Sequence, residues 1–198
     1  MGVSGAQVVT DGDTLVITVP GDDSSQARSL GQTSQLLFRP VTGGQAPDEK
    51  LFDSLTEMAD RWVENGILTV DEANTKLSEA TENFKGSEFN APEKAPTVTA
   101  KAPAAPANSI EETEQRNTTV DVLKTDRQSE DPNTQNAAAL LLTCDASDDP
   151  LAGADDPAKP LVTCSDTGAP ILLDAAPLLQ GETDGPDARR MTGDMIDP

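Results

Sequence analysis

The chain reads as an α+β fold: a small β-hairpin, helix and strand unit at the N-terminus, then a long stretch with a helical hairpin and a disordered Pro/Ala-rich linker. Three observations predict it. Gly2 to Val41 carries strand, turn and helix signals in unbroken succession. Residues 47–84 carry two apolar stripes at helical spacing. Residues 86–136 lose all periodicity and open with prolines that suit neither helix nor strand. The expected regions are therefore 1–43, 44–85, 86–136 and 137–198, the last a cysteine-containing apolar segment with a tail.

In the first region Val8, Val9 and Thr10 lead into Asp11-Gly12, and Leu15 to Val19 runs apolar and β-branched beyond it. A glycine-containing turn between two such runs predicts a hairpin. Pro20-Gly21 stops the second strand. Asp22, Asp23, Ser24 and Ser25 supply side-chain oxygens to the free N–H groups of a short helix, Ser25 to Leu30, and Gly31 stands where a left-handed C-terminal cap is needed. Leu36, Leu37, Phe38 and Val41 make a third strand.

Pro47-Asp48 opens a helix in which Leu51, Leu55, Met58 and Trp62 share one face. After Asn65-Gly66, Thr69 and Glu72 form a capping-box pair, and Ala73, Leu77, Ala80 and Phe84 repeat the spacing. The two stripes are expected to pack on each other as a helical hairpin; docking a partner helix or an unfolded polypeptide is the competing use. Setting Gly66 and Glu72 at the sixth and twelfth positions of a calcium loop puts Arg61 and Val63 at the first and third, which argues against calcium.

Ala91-Pro92, Ala95-Pro96, Ala102-Pro103 and Ala105-Pro106 predict an extended, mobile linker from Gly86 to about Asn136, with Val120, Val122 and Leu123 as a brief strand. Asn117-Thr118-Thr119 is a formal glycosylation sequon to which no role is assigned. Order is expected again at Ala137 to Thr143. Cys144 and Cys164 end the similar stretches LLTC and LVTC, like two strand ends brought together, and predict a disulfide; two independent buried thiols are the alternative. With no histidine in the chain the two cysteines supply only half a zinc shell. Asp145, Asp148, Asp149, Asp155 and Asp156 could hold a hard cation, but Pro150, Gly153 and Pro157 among them favour a solvated loop. Past Gly181 a surface tail is expected.

Composition narrows the function. With 14 basic against 35 acidic residues the formal charge is −21, so nucleic acid and anionic lipid surfaces repel the chain. Aromatics at 3% and hydrophobics at 35% predict that part of the chain stays outside any core. The longest apolar run, Ala137 to Leu142, falls far short of the roughly 20 residues that cross a bilayer. Nucleophilic catalysis without histidine needs a lysine or carboxylate base in a formed pocket, and no phosphate-binding glycine loop is present, so neither an enzyme nor a cofactor site is expected. Met1 is followed by Gly-Val-Ser rather than by a leader, which predicts an added start and an excised fragment.

The run GVSGAQVVTDGDTLVITVPG followed by LGQTSQLLFRPV resembles the first extracytoplasmic domain of the SecD family of the bacterial Sec protein-export machinery, in the variety of high-GC Gram-positive bacteria. A second resemblance is AGADDPAKPLVTC, Ala152 to Cys164, with the apolar segment Ile171 to Leu179 after it. The resemblance implies a location on the extracytoplasmic face of the cell membrane and transmembrane helices outside this chain. It implies SecF and the SecYEG channel as partners, an unfolded preprotein as transport substrate, and movement driven by proton flow through the membrane part. Leu36, Leu37 and Phe38, on a strand edge, are the candidate substrate contacts, since extended chains bind by edge addition. An acidic, partly disordered secreted or surface protein that binds a cation or a partner protein is the competing reading.

Overall fold

The computed structural model describes residues 37–89, 91–144, 149–185 and 188–191, together with the backbone of 7–11 and 14–18. The N-terminal hairpin forms where its valines and Asp-Gly turn place it. Strands β1 (Gln7–Asp11) and β2 (Thr14–Thr18) pair antiparallel with Asp11 opposite Thr14. The short helix expected at Ser25 to Leu30, with its caps, lies outside the described residues.

Helix α1 (Leu51–Glu64) buries Leu51, Phe52, Leu55, Met58, Ala59, Trp62 and Val63, a stripe wide enough to be covered from more than one side. Asp48 assists its start by accepting the Lys50 N–H at 2.8 Å. Gly66, at φ +68°, turns the chain, and a side chain there would meet Pro103 at 3.3 Å. Helix α2 (Val70–Asn83) begins on the reciprocal Thr69–Glu72 capping box and buries Ala73, Leu77 and Ala80. Phe84 meets Phe52 edge-to-face at 6.2 Å between ring centres, so the two stripes touch as expected.

The stretch expected to be a linker is different. Helix α3 (Ser109–Arg127) occupies it, and Val120, Val122 and Leu123 are helical rather than a strand. Neither proline nor glycine intervenes between Pro106 and Pro132, which leaves helix open to the backbone. Asn108 caps the N-terminus by accepting the N–H groups of Ile110 and Glu111; acidic Glu111 and Glu112 begin the helix and basic Lys124 and Arg127 end it, as the macrodipole favours. No apolar stripe announces α3, because two of its three buried residues are Asp126 and Arg127. Before α3, residues 91–107 of the linker form neither helix nor strand; Ala91, Val98 and Ala100 pack against the core, and residues 101–107 are exposed.

Helix α4 (Pro132–Leu141) occupies the position where a strand end was expected, capped by Asp131 with Pro132 at its first turn. It is the centre of the molecule. The main partner of α1 is α4 rather than α2, and α4 also touches α2, α3 and both β4 and β5. Its Ala137, Ala138 and Leu141 are fully buried, and the two alanines let neighbouring backbones approach closely.

Strands β3 (Val41–Thr42), β4 (Leu161–Cys164) and β5 (Pro170–Leu173) form an antiparallel sheet in the order β3-β5-β4. Gly168, at φ +78°, makes the β4–β5 turn. Val162 and Leu161 join the helices in one apolar cluster. A disulfide joins Cys144, just past α4, to Cys164 at the end of β4. On the loop-entropy model a link of this span restricts the unfolded chain by about 3 kcal/mol. The segment after Gly181 returns to the body: Leu178 bridges Arg190, whose buried guanidinium donates to the Ala176 carbonyl.

Candidate polypeptide-contact site

The strand edge singled out in the sequence is partly used by the chain itself. The Phe38 N–H donates to the Met191 carbonyl at 3.3 Å, and the Pro40 carbonyl accepts from the Asp174 N–H at 2.8 Å. With Val41 opposite Leu173 and Thr42 opposite Leu172, alternation along the strand turns Pro40 and Thr42 toward β5 and the N–H and C=O of Val41 outward. Leu37 and Phe38 are half-buried, and Leu36 lies outside the described residues. Val41, 69% exposed, is the part of this edge that faces solvent.

Arg39 fixes that edge to the rest of the molecule. Its side chain is 4% exposed and forms an ion pair with Asp155 at 2.7 Å. It also donates to the carbonyls of Asp156, Lys159 and Asp174. One guanidinium thus ties the start of β3 to the loop before β4 and to the end of β5. Asp155, considered above as a cation ligand, is an arginine ligand. Asp156 is also engaged: its N–H donates to the Gln128 side chain and its carboxylate accepts the Ala158 N–H. Asp145 and Asp148 lie outside the described residues.

A second polar lock closes the end of α3. Asp126 accepts from Trp62 Nε1 at 2.7 Å and from Arg61 Nε and Nη2 at 3.1 and 2.7 Å. The neighbouring Arg127 is 1% exposed; it grips both oxygens of Asp149 at 2.7 Å and donates through Nε to the Val162 carbonyl at 2.8 Å. Burial works to raise the Asp149 carboxyl, but the hydrogen bonds and charge of Arg127, with the Leu151 N–H, outweigh it and hold the group below the usual carboxylate range. Trp62, Arg127 and Asp149 of this second lock line a cavity of about 470 Å³ whose walls also include Leu68, Leu123, Leu142 and Cys164.

Sequence reasoning marked Trp62 and Cys164 for other reasons and missed Arg39, Asp126 and Arg127. The available signal was chemical: a buried tryptophan needs an acceptor for its N–H, and a buried arginine needs a carboxylate. The site as built offers a short exposed strand edge on an anchored sheet, beside a smaller cavity of about 270 Å³ lined by Val41, Thr42, Asn136 and Leu172, while the larger cavity lies at the opposite edge strand, β4. Among the described residues no helix is long and apolar enough to cross a membrane.

No family model matches the chain, and no solved structure matches it. A stretch of 41 residues is 68% identical to the protein translocase subunit SecD of Mycobacterium tuberculosis, in each of two strains. The match covers 21% of this chain but only 7% of the length of each relative. The chain therefore contains a segment similar to SecD.

Proposed function

We propose that this chain is the extracytoplasmic part of a SecD-type protein translocase subunit, where it contacts the emerging unfolded preprotein and couples proton-driven movement of a membrane part to forward transport. The observation that carries the reading is the 68% identity over 41 residues to the translocase subunit SecD. In this reading the chain stands on the outer face of the cell membrane, works with SecF and the SecYEG channel, and performs no chemistry itself. The exposed Val41 on an anchored sheet edge supports contact with an extended chain, because edge addition uses backbone hydrogen bonds and tolerates any sequence. The strong negative charge supports a role away from nucleic acid and lipid headgroups.

The test is site-specific photocrosslinking during export of a stalled secretory precursor, with the chain in its own gene context. Probes belong at Leu37 and Val41, with Ile110, 70% exposed on α3, as a surface comparison. Crosslinks from Val41 that require ongoing translocation are expected. Their absence, in protein that is folded and membrane-associated, overturns the reading.

A further inference from the structure

Residues 95–101 form no helix or strand, yet they are held along their backbone by two helices. Val98 N–H donates to Asn74 Oδ1 of α2 at 2.9 Å. Asp60 of α1 accepts the N–H of Thr99 at 2.6 Å, the N–H of Ala100 at 2.9 Å and the Thr99 hydroxyl at 3.1 Å. Side chains alternate as on a strand: Pro96, Val98 and Ala100 turn partly inward while Thr97, Thr99 and Lys101 are exposed. Val98 and Ala100 pack against the apolar core. Pro96 and Pro103 flank the three donating residues and keep the course extended.

Nearly all of this recognition is sequence-tolerant. The helices supply the side-chain acceptors, and the bound segment supplies backbone N–H groups and two small apolar side chains. A groove with this chemistry accepts an extended polypeptide with apolar residues at alternate positions. It is filled by the chain's own segment, joined to α2 by a short connection, so the resident has the advantage of proximity over any free polypeptide.

We infer that the α1–α2 groove centred on Asp60 and Asn74 is a binding site for extended unfolded polypeptide, and that residues 95–101 are a resident latch which such a polypeptide displaces. The identity of the partner as an exported chain rests on the translocase reading; the groove and its latch do not. A latch of this kind lowers the apparent affinity by the fraction of time the groove is open. Free polypeptide then binds only where its local concentration is high, as beside a channel exit.

The experiment uses the full chain and two probes: a fluorescent peptide with the sequence of residues 93–102, and a reduced, carboxymethylated protein that cannot fold. The double variant Thr99→Pro/Ala100→Pro removes both N–H groups that reach Asp60 and leaves α1 and α2 intact. Val98→Asp is a second unlatching variant, which sets a carboxylate against the apolar core on which Val98 packs. Trp62 fluorescence and hydrogen exchange verify that the helices stay folded and that the segment is released. Affinity for both probes is expected to rise about tenfold or more in either variant. Adding Asp60→Ala is expected to abolish the gain. No gain in a variant whose segment is released overturns the inference. A stable dimer of the unsubstituted chain with the segment exchanged between copies overturns it in favour of a second copy as the occupant. The translocase reading stands or falls separately, on crosslinks at Val41.

Discussion

Helices α1 and α3 reach the same core by opposite chemistry. In α1, Leu51, Phe52, Leu55, Met58, Ala59, Trp62 and Val63 are buried, all apolar; in α3 the buried residues are Leu123, Asp126 and Arg127. Apolar burial is non-directional and leaves a periodic trace in the sequence. A buried ion pair is stable only when its partner is already in place, and here the partners are remote in sequence, Arg61 and Asp149. The two helices are tied through Asp126, which accepts from Arg61 and from Trp62 of α1, and the Trp62 bond is where the apolar stripe meets the polar lock.

The largest expected effect breaks the apolar side. Trp62→Ala removes the largest fully buried side chain and strips Asp126 of one donor. It should destabilise the chain by about 3–5 kcal/mol, read as a lowered urea midpoint. Next is the polar side: Arg127→Met leaves Asp149 and the Val162 carbonyl without their partner and should cost about 3 kcal/mol, the low end for a broken buried pair. A double-mutant cycle with Asp149→Ala sharpens the point. A coupling near zero would show that Arg127 acts through packing and its Val162 hydrogen bond rather than through Asp149.

Acid should separate the two helices without mutation. The folded carboxyl of Asp149 lies below its unfolded value, so the unfolded chain takes up its proton first as pH falls. The stabilisation is complete above the unfolded value near 4 and is lost as pH drops through the folded value. Asp60, whose desolvation is outweighed by the Ala100 and Thr99 N–H groups, shifts the same way and should release residues 98–100 in the same window. Urea midpoints at pH 6 and pH 3 measure the total, and Arg127→Met should flatten the Asp149 share. The smallest effect is at the start of α3: Asn108→Ala removes two capping acceptances and should cost about 1 kcal/mol, seen as faster amide exchange at Ile110 and Glu111.

Much of the fold was legible where local chemistry decides. The β1–β2 hairpin follows from valines around Asp-Gly, and α1 and α2 follow from their stripes and the Thr69–Glu72 box. The matching ends LLTC and LVTC pointed to the Cys144–Cys164 bridge, although the first of them leaves a helix and not a strand. Of the candidate contact residues, Leu37 and Phe38 could be placed on an edge but not exposed or covered. That depends on Met191, far away in the chain.

The sequence by itself determined the α+β class, the hairpin, the two apolar helices and the strong negative charge, because propensity, capping and net charge act over a few residues or over the whole composition. Only the tertiary structure decided that α3 is a helix, that α4 rather than α2 is the main partner of α1, that the acidic loop serves arginines, and that a proline-rich segment lies in a groove. The choice of α4 depends on small apolar residues remote in sequence from α1; each of the others depends on a polar group meeting one particular partner, and desolvation makes such a group costly until the fold has brought the two together.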